Sequence, residues 1–343
     1  MTGATILVTG GAGYVGSHAC LALRQAGYTP VVYDNLFRGH RWAVRFGPFE
    51  EGDILDGRRL AEAFARHRPA AVLHFAALTF VGESVADPAL YYRTNVVGAL
   101  TLLEAMKAAG VRDIVFSSTA AVYGTPAASP IPETAPRAPI NPYGTTKLMI
   151  ERALADYVAA YGFRAAALRY FNAAGADPEG LIGEDHDPES HLIPLVLDAA
   201  AGLRDSIAVF GDDYPTADGT CVRDYIHVLD LADAHVRALE RLTGGSGADL
   251  LGVNLGTGQG ASVREVIAAA QRVTGRPVPV RRAARRAGDP PALVADPTRA
   301  KSLLGWSAER PSLDGLIRDA WTWHRSHFDR IPSEDAASPT RTV

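Results

Sequence analysis

The sequence predicts an α/β chain built on a doubly wound parallel sheet, with a smaller α/β substrate domain towards the C-terminus. Three observations carry this. Short apolar, β-rich runs alternate with helical patterns throughout the first half. A glycine-rich turn joins the first strand directly to the first helix. After about Asn172 the alternation gives way to sequence rich in Gly, Pro and Asp, with only short elements.

Residues 6–9 read as a buried strand, and the amphipathic helix after the glycine turn can end at Gly27. Further strands are expected at 30–34, 71–75, 114–118 and 164–170. Residues 90–109 read as one long helix with Gly110 in its C′ position, and 142–161 as another. Residues 173–219 read as loops laid over the sheet around a short helix at 192–201. A strand is expected at 253–256. Ser262 and Glu265 have capping-box spacing for a helix reaching about Thr274. A basic stretch at 281–289 and a final helix at 313–327 follow. The expected organisation is a nucleotide-binding domain at 1–172, to which part of 220–256 returns, and a substrate domain at 173–330. The polar tail at 331–343 is expected to be disordered.

A chain of 343 residues fits one large domain or two sharing a cleft. The formal net charge of −4 argues against a broad nucleic-acid surface. Cys20 and Cys221 form no CxxC pair and no disulfide framework, which points to a reducing compartment. The chain runs straight into Ile6-Leu7-Val8 with no basic region or long apolar run before it, so no signal peptide is expected. No apolar run approaches the ~20 residues of a membrane span. A cytoplasmic protein is expected. The ten histidines show no usual ligand spacing, so no metal is expected, and His74 and His227 read as packed core residues.

Gly10, Gly13 and Gly16 form a Gly-x-x-Gly-x-x-Gly turn, with Tyr14 and Val15 inside it, at the mouth of the first helix. Glycine there lets the backbone approach a pyrophosphate, and the helix N-terminus offers it free N–H groups. Alone, the pattern also fits a plain turn. Asp34 closes the second strand about 20 residues on, where an acid binds both ribose hydroxyls and repels a 2′-phosphate. That favours NAD over NADP. Arg38 and Arg41 read as solvated charges. Asp53 and Ile54 either flank the adenine or serve as loop residues.

Tyr143 and Lys147 stand at i and i+4 on a helix and share a face. A lysine cation beside a phenol favours phenolate, which makes the tyrosine a base for a hydroxyl proton. The spacing alone fits surface decoration equally well. Ser117, Ser118 and Thr119 end a strand where a doubly wound sheet opens its ligand crevice.

Taken together, these motifs, with Asp34-Asn35, Phe75-Ala76, Val81-Gly82-Glu83-Ser84, Asn95, Ser117 to Gly124 and Tyr170-Phe171-Asn172, resemble the extended short-chain dehydrogenase/reductase superfamily, whose fold is Rossmann-type. Within it, Val222-Arg223-Asp224-Tyr225-Ile226-His227-Val228 and Arg286-Ala287-Gly288-Asp289 resemble the UDP-glucose (UDP-galactose) 4-epimerases. The resemblance implies NAD as cofactor. It would be held by the glycine turn, Asp34, Asn35, Asp53, Ile54, Phe75, Ala76, Ala77, Asn95, Ser117, Tyr143, Lys147 and Tyr170. It implies Tyr143 as acid/base, Lys147 as its tuner, and Thr119 in place of the usual serine. It implies a UDP-sugar site of Asn172, His191, Leu192, Phe210, Arg223, Arg286, Asp289 and Leu293. Paired arginines suit a diphosphate. Two residues depart from the family pattern. Thr79 replaces a lysine near the cofactor. Leu293 replaces a tyrosine or a smaller residue beside the sugar, which leaves a UDP-pentose or a UDP-N-acetylhexosamine as alternative substrates. Dehydratase relatives carry Asp and Glu where this chain has Ala120 and Ala121, so elimination is not expected. A non-catalytic NAD sensor would need no base. Relatives are often homodimers.

Overall fold

The apolar runs become strands because both faces of the sheet are covered, so nearly every side chain along them is excluded from water. In the computed structural model, which describes residues 3–245, 249–286 and 289–327, these strands are Thr5–Thr9 (β1), Thr29–Asp34 (β2), Phe49–Glu51 (β3), Ala71–His74 (β4), Asp113–Thr119 (β5), Arg164–Tyr170 (β6) and Asp249–Leu255 (β7). They form one sheet in the order β7-β6-β5-β4-β1-β2-β3, and every pairing is parallel. The chain leaves β1 towards β2 and β3, then crosses back to β4 on the other side of β1. That reversal opens a crevice above the C-terminal ends of β1 and β4, the place where such sheets take ligands. The predicted doubly wound sheet is the observed one.

Alternate residues of the strands feed two cores. Ile6, Val8 and Val115 pack with Leu23 of helix Tyr14–Gln25 (α1). Leu7, Val72 and Ile114 face the other way, onto Leu60 of Gly57–His67 (α2), Leu102 of Gly98–Ala109 (α3) and Leu154 of Pro142–Tyr161 (α4). A separate core joins Ile193 of Leu192–Ala201 (α5) to residues further along the chain. The first side also receives Leu231 and Leu239 of Val228–Thr243 (α6), which lies against α1. The separate core is completed by Val266 of Val263–Thr274 (α7) and by Ile317 and Trp321 of Leu313–His327 (α8).

Most expected elements are present with small changes of boundary. The long helix at 90–109 is a composite. Pro88–Tyr91 is α-helical, Tyr92–Val97 is a π-helical segment, and α3 completes it, with Gly110 at φ 74 behind. β7 is longer than the expected 253–256, and it joins the sheet edge beside β6. Ser262 and Glu265 make both bonds of the capping box that opens α7. The basic stretch begins as a strand, Val280–Ala283, paired with Ile207–Phe210. α2 and α6 were not anticipated. The expected disordered tail at 331–343 lies outside the described residues, as do Ala287 and Gly288.

Candidate active site

β1 hands the chain to α1 through the glycine turn. Gly10 has φ +72, and a Cβ built there would lie 2.5 Å from the Ala76 nitrogen. At Gly16 a Cβ would lie 2.2 Å from the Gly10 carbonyl oxygen. Neither position tolerates a side chain, so the cradle is made of backbone. Gly13 is the N-cap of α1 and no side chain caps it, which leaves first-turn N–H groups for an anion. At the end of β2, Asp34 accepts from Ala12 N at 3.0 Å and from Leu36 N at 2.8 Å. Burial raises its carboxyl pKa against the pull of these two donors. An acid beside a glycine cradle at the switch point fits NAD.

The neighbouring loop is tied down by the protein itself. Phe75 N and Ala76 N both donate to the Thr9 carbonyl, at 2.9 and 3.1 Å. Asn95, fully buried in the π-helical segment, exchanges bonds of 2.8 and 3.0 Å with the Leu78 backbone and donates to Thr146 Oγ1 at 3.1 Å. Its amide is therefore committed to Leu78, in the loop at 75–79, and to Thr146. Asn35 Nδ2 donates to Asp53 Oδ2 at 3.0 Å, and Ile54 packs beneath Gly98. Tyr14 OH donates to the Gly175 carbonyl at 2.6 Å, while Val15 and Ala77 remain partly exposed. Arg41 is exposed as expected, but Arg38 is not a solvated charge. Arg38 bonds Glu83 at 2.7 Å and the Asp187 carbonyl at 2.6 Å. Arg41 lies over the Phe49 ring at 4.1 Å.

The chemical residues sit at the ends of β5 and β6. Asn141 caps α4 by accepting from Gly144 N at 2.8 Å, with Pro142 in the first turn, so the helix start is fixed and Tyr143 with it. Lys147, one turn on, is 1% exposed and donates to the Ser117 carbonyl at 2.8 Å. Its ammonium lies 6.0 Å from the Tyr143 ring centroid. Thr119 Oγ1 accepts from Ala121 N at 3.1 Å, which leaves its proton for the Tyr143 oxygen. Ser117 and Tyr170 share a short hydroxyl–hydroxyl bond alongside. The expectation of a lysine-lowered phenol needs correction. Burial raises the Tyr143 pKa above its usual 10.0, and the Thr119 hydroxyl only partly offsets this. Burial also lowers Lys147 to about 7. In a dry site, desolvation of both groups outweighs their mutual attraction.

The residues expected around a UDP-sugar fall into groups. Asn172 begins the strand Asn172–Ala174, parallel to Tyr225–His227, with Phe171 just before it. Leu293 pairs with Arg223 and packs beside Phe171 and Tyr123. Arg223 donates to the Pro290 carbonyl at 3.0 Å and has Asp289 3.6 Å away. The Arg286 guanidinium covers the Phe210 ring at 3.9 Å. His191 stands in the N-cap position of α5 without a side-chain cap bond, Leu192 is the first helical residue, and His191 Nδ1 bonds Glu184.

The family model described as NAD dependent epimerase/dehydratase matches residues 6–254. The chain belongs to the NAD dependent epimerase/dehydratase family. Among its relatives in that family, the UDP-glucose 4-epimerase of Rhizobium leguminosarum bv. trifolii is 57% identical over 324 residues, 94% of this chain and 98% of that protein. The crystal structure of UDP-glucose 4-epimerase from Brucella ovis in complex with NAD is 56% identical, with a TM-score of 0.91, covering 93% of this chain and 98% of that one. That of the Stenotrophomonas maltophila UDP-glucose-4-epimerase, with bound NAD and formylated UDP-arabinopyranose, is 46% identical with a TM-score of 0.91, over 94% and 98% of the two chains.

Beside the motifs that place it in the epimerase/dehydratase family, the chain has two polar clusters that its sequence did not reveal. Glu151, one turn beyond Lys147 on the same face of α4, accepts from Ser118 at 2.6 Å, from Arg169 at 2.8 and 2.7 Å, and from Arg137 at 3.0 Å. Arg169 in turn reaches Tyr123 OH, which donates to Asn254 at 2.7 Å. The i, i+4, i+8 spacing of Tyr143, Lys147 and Glu151 was the available signal. The second cluster joins two histidines that have no usual ligand spacing in the sequence. His186 and His191 meet Glu184 and Glu189, each offering one ligand atom within 4.8 Å of the others. His74 and His227 are buried as expected, but His227 also accepts from Leu229 N at 3.1 Å, capping α6. No helix among the described residues is long and apolar enough to cross a membrane.

Proposed function

We propose that this chain is an NAD-dependent UDP-glucose 4-epimerase that interconverts UDP-glucose and UDP-galactose through a 4-keto sugar. The observation that carries the reading is the setting of Tyr143. It is a phenol under a threonine hydroxyl, beside a dry lysine, at the C-terminal edge of the same sheet that carries the glycine cradle. The near full-length likeness to UDP-glucose 4-epimerases supports the choice of substrate.

The glycine turn, α1 and Asp34 hold the cofactor from the backbone side, and Lys147 and Ser117 flank its reactive end. Bound NAD supplies a hydride acceptor that becomes a hydride donor to the same carbon. Tyr143 takes the proton of the 4-hydroxyl and returns it after the sugar has turned over. Thr119 holds that oxygen, and Lys147 stabilises the phenolate. Arg223 and Arg286 neutralise the diphosphate, which anchors the nucleotide while the sugar rotates. Asp289 binds the uridine ribose, and Asn172, His191, Leu192, Phe210 and Leu293 bound the sugar and uracil. Ala120 and Ala121 offer no proton to a leaving group, so the keto sugar is reduced rather than dehydrated. Residues 1–172, with α6 and β7, serve as the cofactor domain, and residues 173–330 otherwise mainly as the substrate domain.

Val97 at the end of the π-helical segment, Leu100 on α3, and Met149 and Tyr161 on α4 leave apolar surface on neighbouring elements. That surface is read as the contact between two copies of a cytoplasmic homodimer, to be checked by light scattering. Tyr143→Phe is expected to lower turnover by about 10²–10⁴-fold while UDP still binds. Near-normal turnover would reject Tyr143 as the base. A panel of UDP-hexoses, UDP-N-acetylhexosamines and UDP-pentoses ranks the substrates, and a pentose or acetylated sugar outrunning UDP-glucose would overturn the substrate assignment.

A further inference from the structure

We propose that Glu184, His186, Glu189 and His191 form a mononuclear site for a divalent transition ion of the zinc class. The inference rests on the geometry of the cluster, which shares His191 with the proposed UDP-sugar site. Zinc takes imidazole nitrogen and carboxylate oxygen at about 2.0–2.2 Å in a tetrahedron, which sets neighbouring ligand atoms roughly 3.4 Å apart. His186 Nδ1 lies 3.3 Å from Glu184 Oε1 and 3.6 Å from Glu189 Oε2. His191 Nδ1 bonds the same Glu184 oxygen more tightly, so that edge must open slightly to admit an ion.

A second observation points to a ligand. His186 Nδ1 is out of contact with solvent and has no partner in hydrogen-bonding geometry, although it is aimed between two carboxylates. An imidazole nitrogen so placed is satisfied by a metal in the middle of the cluster. The neighbouring charges are already engaged elsewhere. Asp185 takes His40 and His327 at 3.7 and 3.0 Å, and Arg38 takes Glu83. Glu184 is thus left to the two histidines, while Glu189 Oε1 accepts from Ser190 N and His191 N at 2.6 and 2.7 Å and only its Oε2 faces His186.

The loop carrying these ligands is held on both sides. His40 Nε2 meets the Asp185 carbonyl at 2.8 Å, Arg38 donates to that of Asp187, and Trp323 Nε1 donates to that of Glu184 at 3.0 Å. The rings of Phe80 and Tyr14 stand edge-on to His186 at 5.9 and 6.2 Å. Such outer contacts orient ligands before the ion arrives. The ion would fasten the loop between α1 and α8 and fix the start of α5, where His191 and Leu192 lie. An imidazole takes an ion only without its proton, so ion binding competes with protons.

The test uses the untagged full chain, stripped with chelator and titrated with zinc sulfate at neutral pH. Bound zinc is counted by mass spectrometry and protons by calorimetry in buffers of different ionisation enthalpy. One zinc per chain with proton release is expected, together with a rise in thermal midpoint that magnesium does not reproduce. His186→Ala should lose at least about 100-fold in affinity, more than an outer-contact change costs. Glu189→Gln provides the second variant should His186→Ala fail to fold, and it too should weaken binding. No stoichiometric zinc, equal binding in both variants, or magnesium binding as tightly as zinc would overturn the site.

Discussion

Lys147 stands between two requirements. It must be charged to steady a phenolate, yet burial has lowered it to about 7. An unfolded lysine titrates near 10.4. Between these values the unfolded chain holds more protons, so this residue makes stability rise with pH. Below about pH 7 both states are protonated and the folded chain bears the full desolvation cost. Lys147→Met should therefore unfold at higher urea than the parent at about pH 6, with the advantage shrinking towards pH 10, while turnover is lost. Urea midpoints across that range check it. Asp34→Asn should emerge from purification with less NAD, because an amide nitrogen cannot accept from Ala12 N or Leu36 N as the carboxylate does. Cofactor content by absorbance decides that. Tyr143, Lys147, Asp34 and the glycines were legible in the sequence because their roles depend on local spacing. The direction of the Tyr143 pKa was not, because it depends on how much water the whole fold removes.

The elements were legible where they announce their own ends. α4 begins at an Asn-Pro cap and α7 at a capping box, and both were expected where they lie. α6 carries no such signal. The chain passes from strand to helix without a Ser, Asp or Gly stop, and the cap is the imidazole of His227. Strands of two or three residues, such as Val222–Arg223, are too short to show an alternation. The network under α4 showed only the helical spacing of Glu151 in the sequence: Glu151, Arg169 and Ser118 meet only after β5, β6 and α4 have packed. Glu151 is 2% exposed and Arg169 is 5% exposed. Glu151→Gln leaves buried arginine charge poorly compensated and should cost about 3–5 kcal/mol. Ser262→Ala, which removes one cap, should cost only about 1 kcal/mol. Denaturant titration of the two variants should rank them in that order.

Across the molecule, histidines line the inside of the sheet layers. His18 lies on α1 beside Tyr14, His235 on α6 against Phe75 and Tyr170, and His74 on β4. Burial lowers them to about 4, 4 and 3 respectively, from 6.5. Because the folded values are depressed, their contribution is complete above pH 6.5. It is lost as acid charges the unfolded chain, at about 1.4 kcal/mol per pH unit for each group. Stability should fall steeply from pH 6.5 towards 4, and His235→Phe should flatten that slope in urea titrations. The doubly wound sheet was readable from alternation alone, because a parallel sheet needs a helical crossover after almost every strand. The return of β7 to the sheet edge was only partly readable, since nothing local to 249–255 says which sheet it joins.

The central claim is that one carbon loses and regains the same hydride inside this chain. UDP-galactose carrying deuterium at C4, incubated with the purified protein and no added oxidant or reductant, tests it. The account predicts UDP-glucose that keeps the deuterium at C4, with no build-up of NADH. Deuterium lost to solvent, or conversion that stalls as NADH accumulates in proportion to product, would contradict it.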